Sequence, residues 1–346
     1  MTAAIPPARA RAIAIWLFAV VVMVFVMVII GGLTRLTHSG LSIVEWKPLT
    51  GWWPPTTEAD WQALFDAYRQ YPEFRKVNPG MDVEGFKGIF WLEFIHRVWG
   101  RLIGIVFFVP FVFFAVRGWL TRGLTVRLAG LFVLGGLQGA MGWYMVTSGM
   151  VDHPDVSQYR LTAHFGLALV IIAFALWLAF ALLHPGRWGA GAGVPVRFAR
   201  GATALAVLVF VTALSGGFVA GLDAGFAFAT FPDMDGEMIP AGLYDDGWRS
   251  AFEDITTVQF NHRILAESTL VLVLVFWWRA RGLRLGIGPR RAVSLLALAG
   301  VAQVGLGIST LLLGVPLVLA SLHQGGAVVL FSAVLWAAFM LNRREL

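Results

Sequence analysis

Apolar residues along this chain form long, nearly unbroken runs that are separated by short polar or charged segments. An α-helix needs about 20 apolar residues to cross the hydrocarbon of a bilayer. The sequence predicts eight such runs, at about 12–33, 89–116, 125–148, 159–183, 199–222, 254–279, 290–313 and 317–341. We therefore expect an all-α integral membrane protein with eight transmembrane helices.

The first run follows Arg9 and Arg11, so it could instead be the core of a cleaved signal peptide. Its length favours a retained helix, because the run is long for a signal core. Its last residues, Ile-Gly-Gly-Leu-Thr at 30–34, also recur after the fifth run as Ser-Gly-Gly-Phe-Val at 215–219. This recurrence indicates a structural element that the protein keeps.

The recurrence extends along the whole chain and indicates an internal repeat. The second and sixth runs share His-Arg, the third and seventh align Gln138 with Gln303, and the fourth and eighth align His164 with His323. We predict two tandem, pseudo-symmetric four-helix bundles, an N-terminal half at 1–188 and a C-terminal half at 189–346. Because each half has an even number of spans, the pseudo-two-fold axis should run along the membrane normal.

Two long loops are predicted on the side of the membrane opposite the termini. The first, 34–88, contains Thr57 as a helix N-cap, followed by apolar residues at helical spacing, which are Trp61, Leu64, Phe65 and Tyr68. We expect an amphipathic helix there, lying on the outer face of the bundle. The second loop, 223–253, is acidic and rich in glycine.

Charge decides the orientation of the chain. The net charge is +6, and 15 of the 26 basic residues fall in the segments on one side of the predicted membrane, where Glu345 is the only acidic residue. The positive-inside rule makes that side cytoplasmic and places both termini there, as in a bacterial inner (plasma) membrane. The positive charge is thus a topology signal toward the lipid bilayer and gives no reason to expect nucleic acid as a partner.

The chain contains no cysteine, which excludes disulfides, thiolate metal sites and thiol nucleophiles. Histidine and carboxylate must therefore carry any chemistry. Four of the seven histidines lie a few residues inside predicted helices that enter from the outer side, and these are His96, His164, His262 and His323. The other three, His38, His153 and His184, lie in loops or at a cytoplasmic helix end, where structural roles are expected.

The four buried histidines form two diagonal pairs if each half is an up-and-down bundle. His96 can then face His164, and His262 can face His323, as axial ligands of one heme per half. A single buried histidine is more often a hydrogen-bonded core residue. Two matched pairs in two repeats favour heme ligation.

Glu93 is an ionisable residue inside a membrane span, and such residues are candidate functional groups by default. It lies one helical turn before His96, whereas Gln259 holds the related position before His262. The second copy lacks the carboxylate, which argues against a di-iron site. The alternative for Glu93 is an ion pair with Arg97. Arg97 and Arg263 could bind heme propionates or extend to lipid phosphate.

The motifs together resemble the heme A synthase family, in its proteobacterial and mitochondrial branch. They span nearly the whole chain, from Gly-Gly-Leu-Thr-Arg-Leu-Thr-His-Ser-Gly-Leu-Ser at 31–42 through Phe-Lys-Gly-Ile-Phe-Trp-Leu-Glu-Phe-Ile-His-Arg at 86–97 to Asn-His-Arg at 261–263 and Leu-His-Gln at 322–324. Another branch of this family carries a cysteine pair in the first outer loop. The present chain has none, so thiol chemistry cannot operate in it.

The resemblance implies oxidation of the C8 methyl of heme O to the formyl of heme A, through a hydroxymethyl intermediate. It implies Glu93 as catalytic acid/base, His96 and His164 at the iron of the substrate heme, and His262 and His323 as ligands of a heme b cofactor. Heme O synthase and oxidase assembly factors would be partners, and a homo-oligomer stays open. The residues alone also allow a diheme b-type electron-transfer protein or a heme carrier.

Overall fold

The computed structural model describes residues 5–47, 50–150, 154–188 and 193–344. Eight helices in these ranges have 25 or more residues, and they are α1 (Pro7–Leu36), α4 (Val83–Val116), α5 (Arg122–Val146), α6 (Gln158–Leu183), α7 (Val196–Gly221), α9 (Ile255–Arg281), α10 (Ile287–Leu312) and α11 (Leu317–Leu341). The shorter helices are α2 (Glu58–Tyr68), α3 (Pro72–Lys76) and α8 (Ser250–Glu253). Two strands of two residues, β1 (Arg187–Trp188) and β2 (Arg343–Arg344), pair antiparallel.

Seven of the long helices are long and apolar enough to cross a membrane, which confirms the prediction of an all-helical membrane protein. The remaining long helix, α9, is not among the seven helices that are apolar enough to be candidate spans. It carries Gln259, His262, Arg263 and Glu267 within its first half, and this polar content lowers its hydropathy. Its role as a span therefore stays a prediction.

Side-chain caps explain where several helices begin. Asp82 accepts a hydrogen bond from the Gly85 amide at 2.8 Å, so α4 starts six residues before the predicted apolar run. Asp254 caps α9 in the same way through the Thr257 amide at 2.7 Å. Such caps satisfy amide groups that otherwise lack a partner in the first turn.

The chain forms two compact units, with boundaries inside α1 and α6. One unit is Val22–Ala168, and the other combines Ala4–Val21 with Leu169–Leu346. In the second unit the backbones of α7 and α9, α9 and α10, α10 and α11, and α11 and α7 approach one another closely. The four helices therefore close a cycle, as in a four-helix bundle.

In the Val22–Ala168 unit, α2 packs against the N-terminal turns of α4. Thr57 caps α2, as the sequence predicted, and it also forms a capping box with Asp60. The buried face of α2 joins α4 in an aromatic cluster, hereafter the aromatic cap, made of Trp61, Phe65, Tyr68, Phe86 and Phe90. The Trp61 and Phe90 rings meet edge to face with centroids 4.9 Å apart. The amphipathic helix thus buries its apolar face against protein.

Candidate functional site

Each of the four histidines is half-buried and packs its ring against a glycine of the preceding long helix. The pairs are Gly31 with His96, Gly142 with His164, Gly216 with His262 and Gly307 with His323. A Cβ atom on these glycines would lie 3.3, 3.0, 3.1 and 2.8 Å, respectively, from the nearest ring atom. The two halves of the chain therefore provide four equivalent recesses that only glycine leaves open.

Each histidine of a predicted pair lies within electrostatic range of the other member, His96 of His164 and His262 of His323. Within the described residues no group of three or more histidine, cysteine or carboxylate side chains could hold a bare metal ion. Two imidazoles per site fit an iron whose other four ligands come with a macrocycle, which is the situation in bis-histidine heme.

In the C-terminal pair, both imidazoles are held through Nδ1. The Ser215 hydroxyl lies 2.8 Å from Nδ1 of His262 and donates its own proton to the Thr212 carbonyl at 2.7 Å. The Gln303 amide nitrogen lies 3.1 Å from Nδ1 of His323 and donates to the His323 carbonyl at 2.9 Å. These contacts fix the rotation of both rings.

The N-terminal pair repeats only part of this arrangement. Gln138 repeats the bond of Gln303 to a backbone carbonyl, donating to His164 O at 3.0 Å. Nδ1 of His164 is nevertheless buried with no hydrogen-bond partner among the described residues, whereas Oε1 is unpartnered in Gln138 and Gln303 alike. The position that corresponds to Ser215 is Ile30, which offers no hydroxyl.

Glu93 is 3% exposed and accepts hydrogen bonds on both carboxylate oxygens. Oε2 receives the Ser42 hydroxyl and the Ile43 amide, both at 2.7 Å. Oε1 receives Nε and a terminal nitrogen of Arg97, the first at 2.9 Å. The predicted alternative, an ion pair with Arg97 one turn along the helix, is therefore present. Four N–H and O–H donors thus satisfy this buried carboxylate.

Arg97 also anchors the first outer loop, by donating to the Ile43 carbonyl at 2.6 Å and to the Glu45 carbonyl at 2.8 Å. One turn further along α4, Arg101 donates to the carbonyls of Lys47 and Gly51. The carboxylate and the two guanidinium groups thus fix the path of the loop over α4.

The C-terminal half holds its outer loop in a related way. Gln259 donates to the Phe228 carbonyl at 3.0 Å, and Arg263 donates to the same carbonyl at 3.0 Å. Arg263 also reaches the Thr230 and Asp233 carbonyls, each at 2.8 Å. The sequence suggests heme propionates or lipid phosphate as partners of Arg97 and Arg263. In the structure both guanidinium groups donate hydrogen bonds to loop carbonyls.

Glu73, on α3, is a second buried carboxyl and was not anticipated from the sequence. It is 3% exposed, and its Oε2 has no hydrogen-bond partner among the described residues. Burial raises the pKa of Glu73 to about 8, with further contributions from the negative charges of Glu93 and Asp155, against a hydrogen bond from Tyr68. Glu73 is thus largely protonated at neutral pH.

The remaining histidines lie away from the four recesses. His38 is exposed in the first outer loop with a positive φ of 51°, and His184 contacts the Phe339 ring. His153 lies outside the described residues. The sequence did not single out Ser42 or Ser215. The repeat could have pointed to Ser215, since it is the polar member of an aligned pair whose other member is Ile30.

Comparisons with known proteins agree with one another over nearly the whole chain. The family model described as "Cytochrome oxidase assembly protein" (COX15-CtaA) matches residues 14–335. A "Heme A synthase" of Nitrosospira multiformis is 52% identical over 337 residues, covering 96% of this chain and 94% of that protein. Proteins with the same name from Paramagnetospirillum magneticum and Azorhizobium caulinodans are 52% and 47% identical, covering 96% and 97% of this chain and 95% and 96% of those proteins.

Proposed function

Because this chain belongs to the COX15-CtaA family of cytochrome oxidase assembly proteins, we propose that it is a heme A synthase. As such it oxidises the C8 methyl group of heme O, first to a hydroxymethyl group and then to the formyl group of heme A. The product serves the assembly of cytochrome oxidase, so heme O synthase and oxidase assembly factors are the partners that we propose.

The observation that carries this function is the difference between Glu93 and Gln259. Both residues precede a histidine of a matched pair by one turn and both hold an outer loop, yet only Glu93 is ionisable. A protein that only relays electrons between two hemes needs no carboxylate beside one of them. Oxidation of a methyl carbon releases protons, and a buried carboxylate with defined partners can receive them.

The difference between Glu93 and Gln259 also lets us assign the substrate site and the cofactor site. His96 and His164 would bind the iron of the substrate heme, in the half that contains Glu93. His262 and His323 would bind a resident heme b, which supplies electron transfer when bound. The residues fit such a group, because the glycine recesses leave room for each ring and the contact with Ser215 already orients His262 through Nδ1.

The ion pair with Arg97 gives Glu93 a second role that the experiment must separate from catalysis. A glutamine at position 93 can accept from Ser42 or Ile43, but it cannot neutralise Arg97. The Glu93→Gln variant therefore tests both the acid/base function and the anchoring of the loop.

We expect Glu93→Gln to bind heme in both halves and to lose conversion of heme O by roughly the 10²–10⁴-fold that general acid/base groups provide. Conversion is measured by extracting and identifying the hemes from cells that supply heme O. If heme A accumulated at the parental rate, the role of Glu93 would be limited to its structural ion pair with Arg97.

The matched control is Ser42→Ala, which removes one loop bond and keeps the carboxylate. We expect it to retain most of the conversion, while hydrogen exchange at residues 41–47 reports whether the loop is loosened. An equal loss of conversion in Ser42→Ala and Glu93→Gln, with equal loosening, would show that loop anchoring is the whole role. Heme b alone in the parental protein, with no conversion, would favour the electron-transfer alternative.

We also propose the finer architecture and topology. Two tandem four-helix halves, 1–188 and 189–346, would include α9 as the eighth span, in the bacterial inner membrane with both termini in the cytoplasm. Reporter fusions near Arg187 should then report cytoplasm, and fusions near Asp235 should report the outer compartment. The opposite pattern would place the four histidines near the wrong face.

A further inference from the structure

The hydrogen bond between Ser215 and His262 determines which ring nitrogen is available. The Ser215 hydroxyl has one proton, and it donates that proton to the Thr212 carbonyl at 2.7 Å. The contact of 2.8 Å with Nδ1 of His262 must then run the other way, from Nδ1–H to the serine oxygen. His262 is thus held as the tautomer whose Nε2 carries a free lone pair, which is the form that binds iron.

The corresponding ring in the N-terminal half has a different orientation. His96 presents Nε2 to Gly31, at 3.3 Å from a Cβ built there, whereas His262 presents Cε1 to Gly216, at 3.1 Å. The residues before these glycines are Ile30 and Ser215. Equivalent glycines on equivalent helices therefore support two ring orientations, and in the half with the serine the ring atom nearest the glycine is Cε1, with Nδ1 and Nε2 both 3.7 Å from the built Cβ.

We propose that Ser215 is the positioning residue that makes the C-terminal site retain its heme. By accepting the Nδ1 proton it holds the imidazole of His262 in the ligating tautomer and raises the basicity of Nε2. The inference rests on the proposed heme-binding function. It adds that a single aligned pair, Ser215 and Ile30, distinguishes a retained cofactor from a substrate that must leave.

The test compares Ser215→Ala with Ser215→Thr in the purified, heme-loaded protein. We expect Ser215→Ala to release heme b to an excess of apomyoglobin roughly 10–100-fold faster than the parent, the usual effect of removing such a supporting partner. We also expect a more positive midpoint potential, because a less basic imidazole stabilises the ferric state less. Ser215→Thr keeps the hydroxyl and should restore both quantities.

Ser332→Ala is the matched control, since the Ser332 hydroxyl donates only to the Val328 carbonyl of its own helix. It should leave the release rate and the potential at their parental values. Parental values in Ser215→Ala would overturn the inference while the proposed function stood. The same release rate in Ser215→Thr as in Ser215→Ala would also overturn it. A parental protein that holds no b-type heme would contradict the proposed function first.

Discussion

The two halves of this chain present matched histidine recesses in different surroundings. In the C-terminal half, four helices close a cycle and both imidazoles are fixed through Nδ1. In the N-terminal half, Nδ1 of His164 has no partner among the described residues. The buried polar contacts of that half are instead those of Glu93 and Arg97, which bind the first outer loop.

This difference indicates how one scaffold can serve two purposes. A cofactor that stays bound benefits from rigid ligands, because preorganisation lowers the cost of binding. A substrate that must enter, react and leave needs ligands that can turn, together with a nearby group that exchanges protons. The two halves share the four histidines and differ in the side chains that hydrogen-bond to the imidazole rings.

The largest expected effect comes from removing the ligands in one half at a time. His262→Ala or His323→Ala should abolish the low-spin b-type spectrum of the purified protein, since six-coordination needs both axial ligands. His96→Ala and His164→Ala should leave that spectrum in place. An unchanged spectrum in both C-terminal variants would overturn the division of roles between the halves.

The glycine recesses predict the next effect in size. Gly307→Ala would place a Cβ 2.8 Å from the His323 ring, whereas a Cβ on Gly305 meets nothing within 4 Å. We expect Gly307→Ala to weaken heme b binding by roughly 10–100-fold through the displaced ligand. Gly305→Ala should bind normally, which a heme titration of both variants would measure. Alanine favours a helix over glycine, so weaker binding cannot be attributed to helix propensity.

The same contrast applies in the N-terminal half, where Gly142 contacts His164 and a Cβ on Gly139 meets nothing within 4 Å. Gly142→Ala should reduce the binding of heme O, and Gly139→Ala should not. Equal binding by both variants would show that the recess does not position the substrate ligand.

A smaller effect is expected from making the halves alike. Ile30→Ser gives His96 the hydroxyl that His262 has, so heme in the N-terminal site should leave several-fold more slowly, a smaller change than the roughly 10–100-fold that loss of such a partner causes. Stopped-flow transfer of heme to apomyoglobin would measure this phase, and Ile30→Val serves as the control without a hydroxyl. Faster release from Ile30→Ser would contradict the comparison.

The smallest expected effect is a pH dependence in the opening of the first outer loop, caused by Glu73. Its pKa is about 8 in the folded loop, against the ordinary value of 4.5, so an opened loop releases a proton that the folded loop keeps. Opening should therefore become easier as the pH rises between these values, by up to about tenfold per pH unit for one proton. Hydrogen exchange in α2 and α3 between pH 5 and 8 would show this.

Glu73→Gln should remove most of that pH dependence, because a neutral amide has no proton to release. The second outer loop buries no carboxylate among its described residues, so its exchange provides an internal reference. Identical pH profiles for the two loops in the parental protein would contradict the assignment of Glu73.

The sequence was sufficient for the features that repeat. The four repeated histidines each pack on a glycine, the aligned Gln138 and Gln303 each bond a histidine carbonyl, and a capped helix follows Thr57. Local patterns of this kind survive in a single sequence because helix geometry fixes which residues share a face.

Contacts that depend on a loop path or on ring rotation could not be predicted. Which carbonyls Arg97 and Arg263 reach is decided by how residues 43–45 and 228–233 fold back, and no periodicity encodes that. The partnership of Ser215 with His262 joins two helices at one rotamer of each residue. The early start of α4 came from the Asp82 cap, which lies outside the apolar run.

The length of α4 has a consequence for what surrounds the aromatic cap. A helix of 34 residues extends about 51 Å, whereas the hydrocarbon of a bilayer is about 30 Å thick. The turns that carry Phe86 and Phe90 can therefore stand in water, where α2 covers them as the core of a small soluble protein would be covered. Exclusion of water stabilises this part of the chain, and side-chain packing within lipid stabilises the spans. Urea should consequently unfold the aromatic cap at concentrations that leave the spans helical. A change of detergent should alter the packing of the spans and leave the aromatic cap folded.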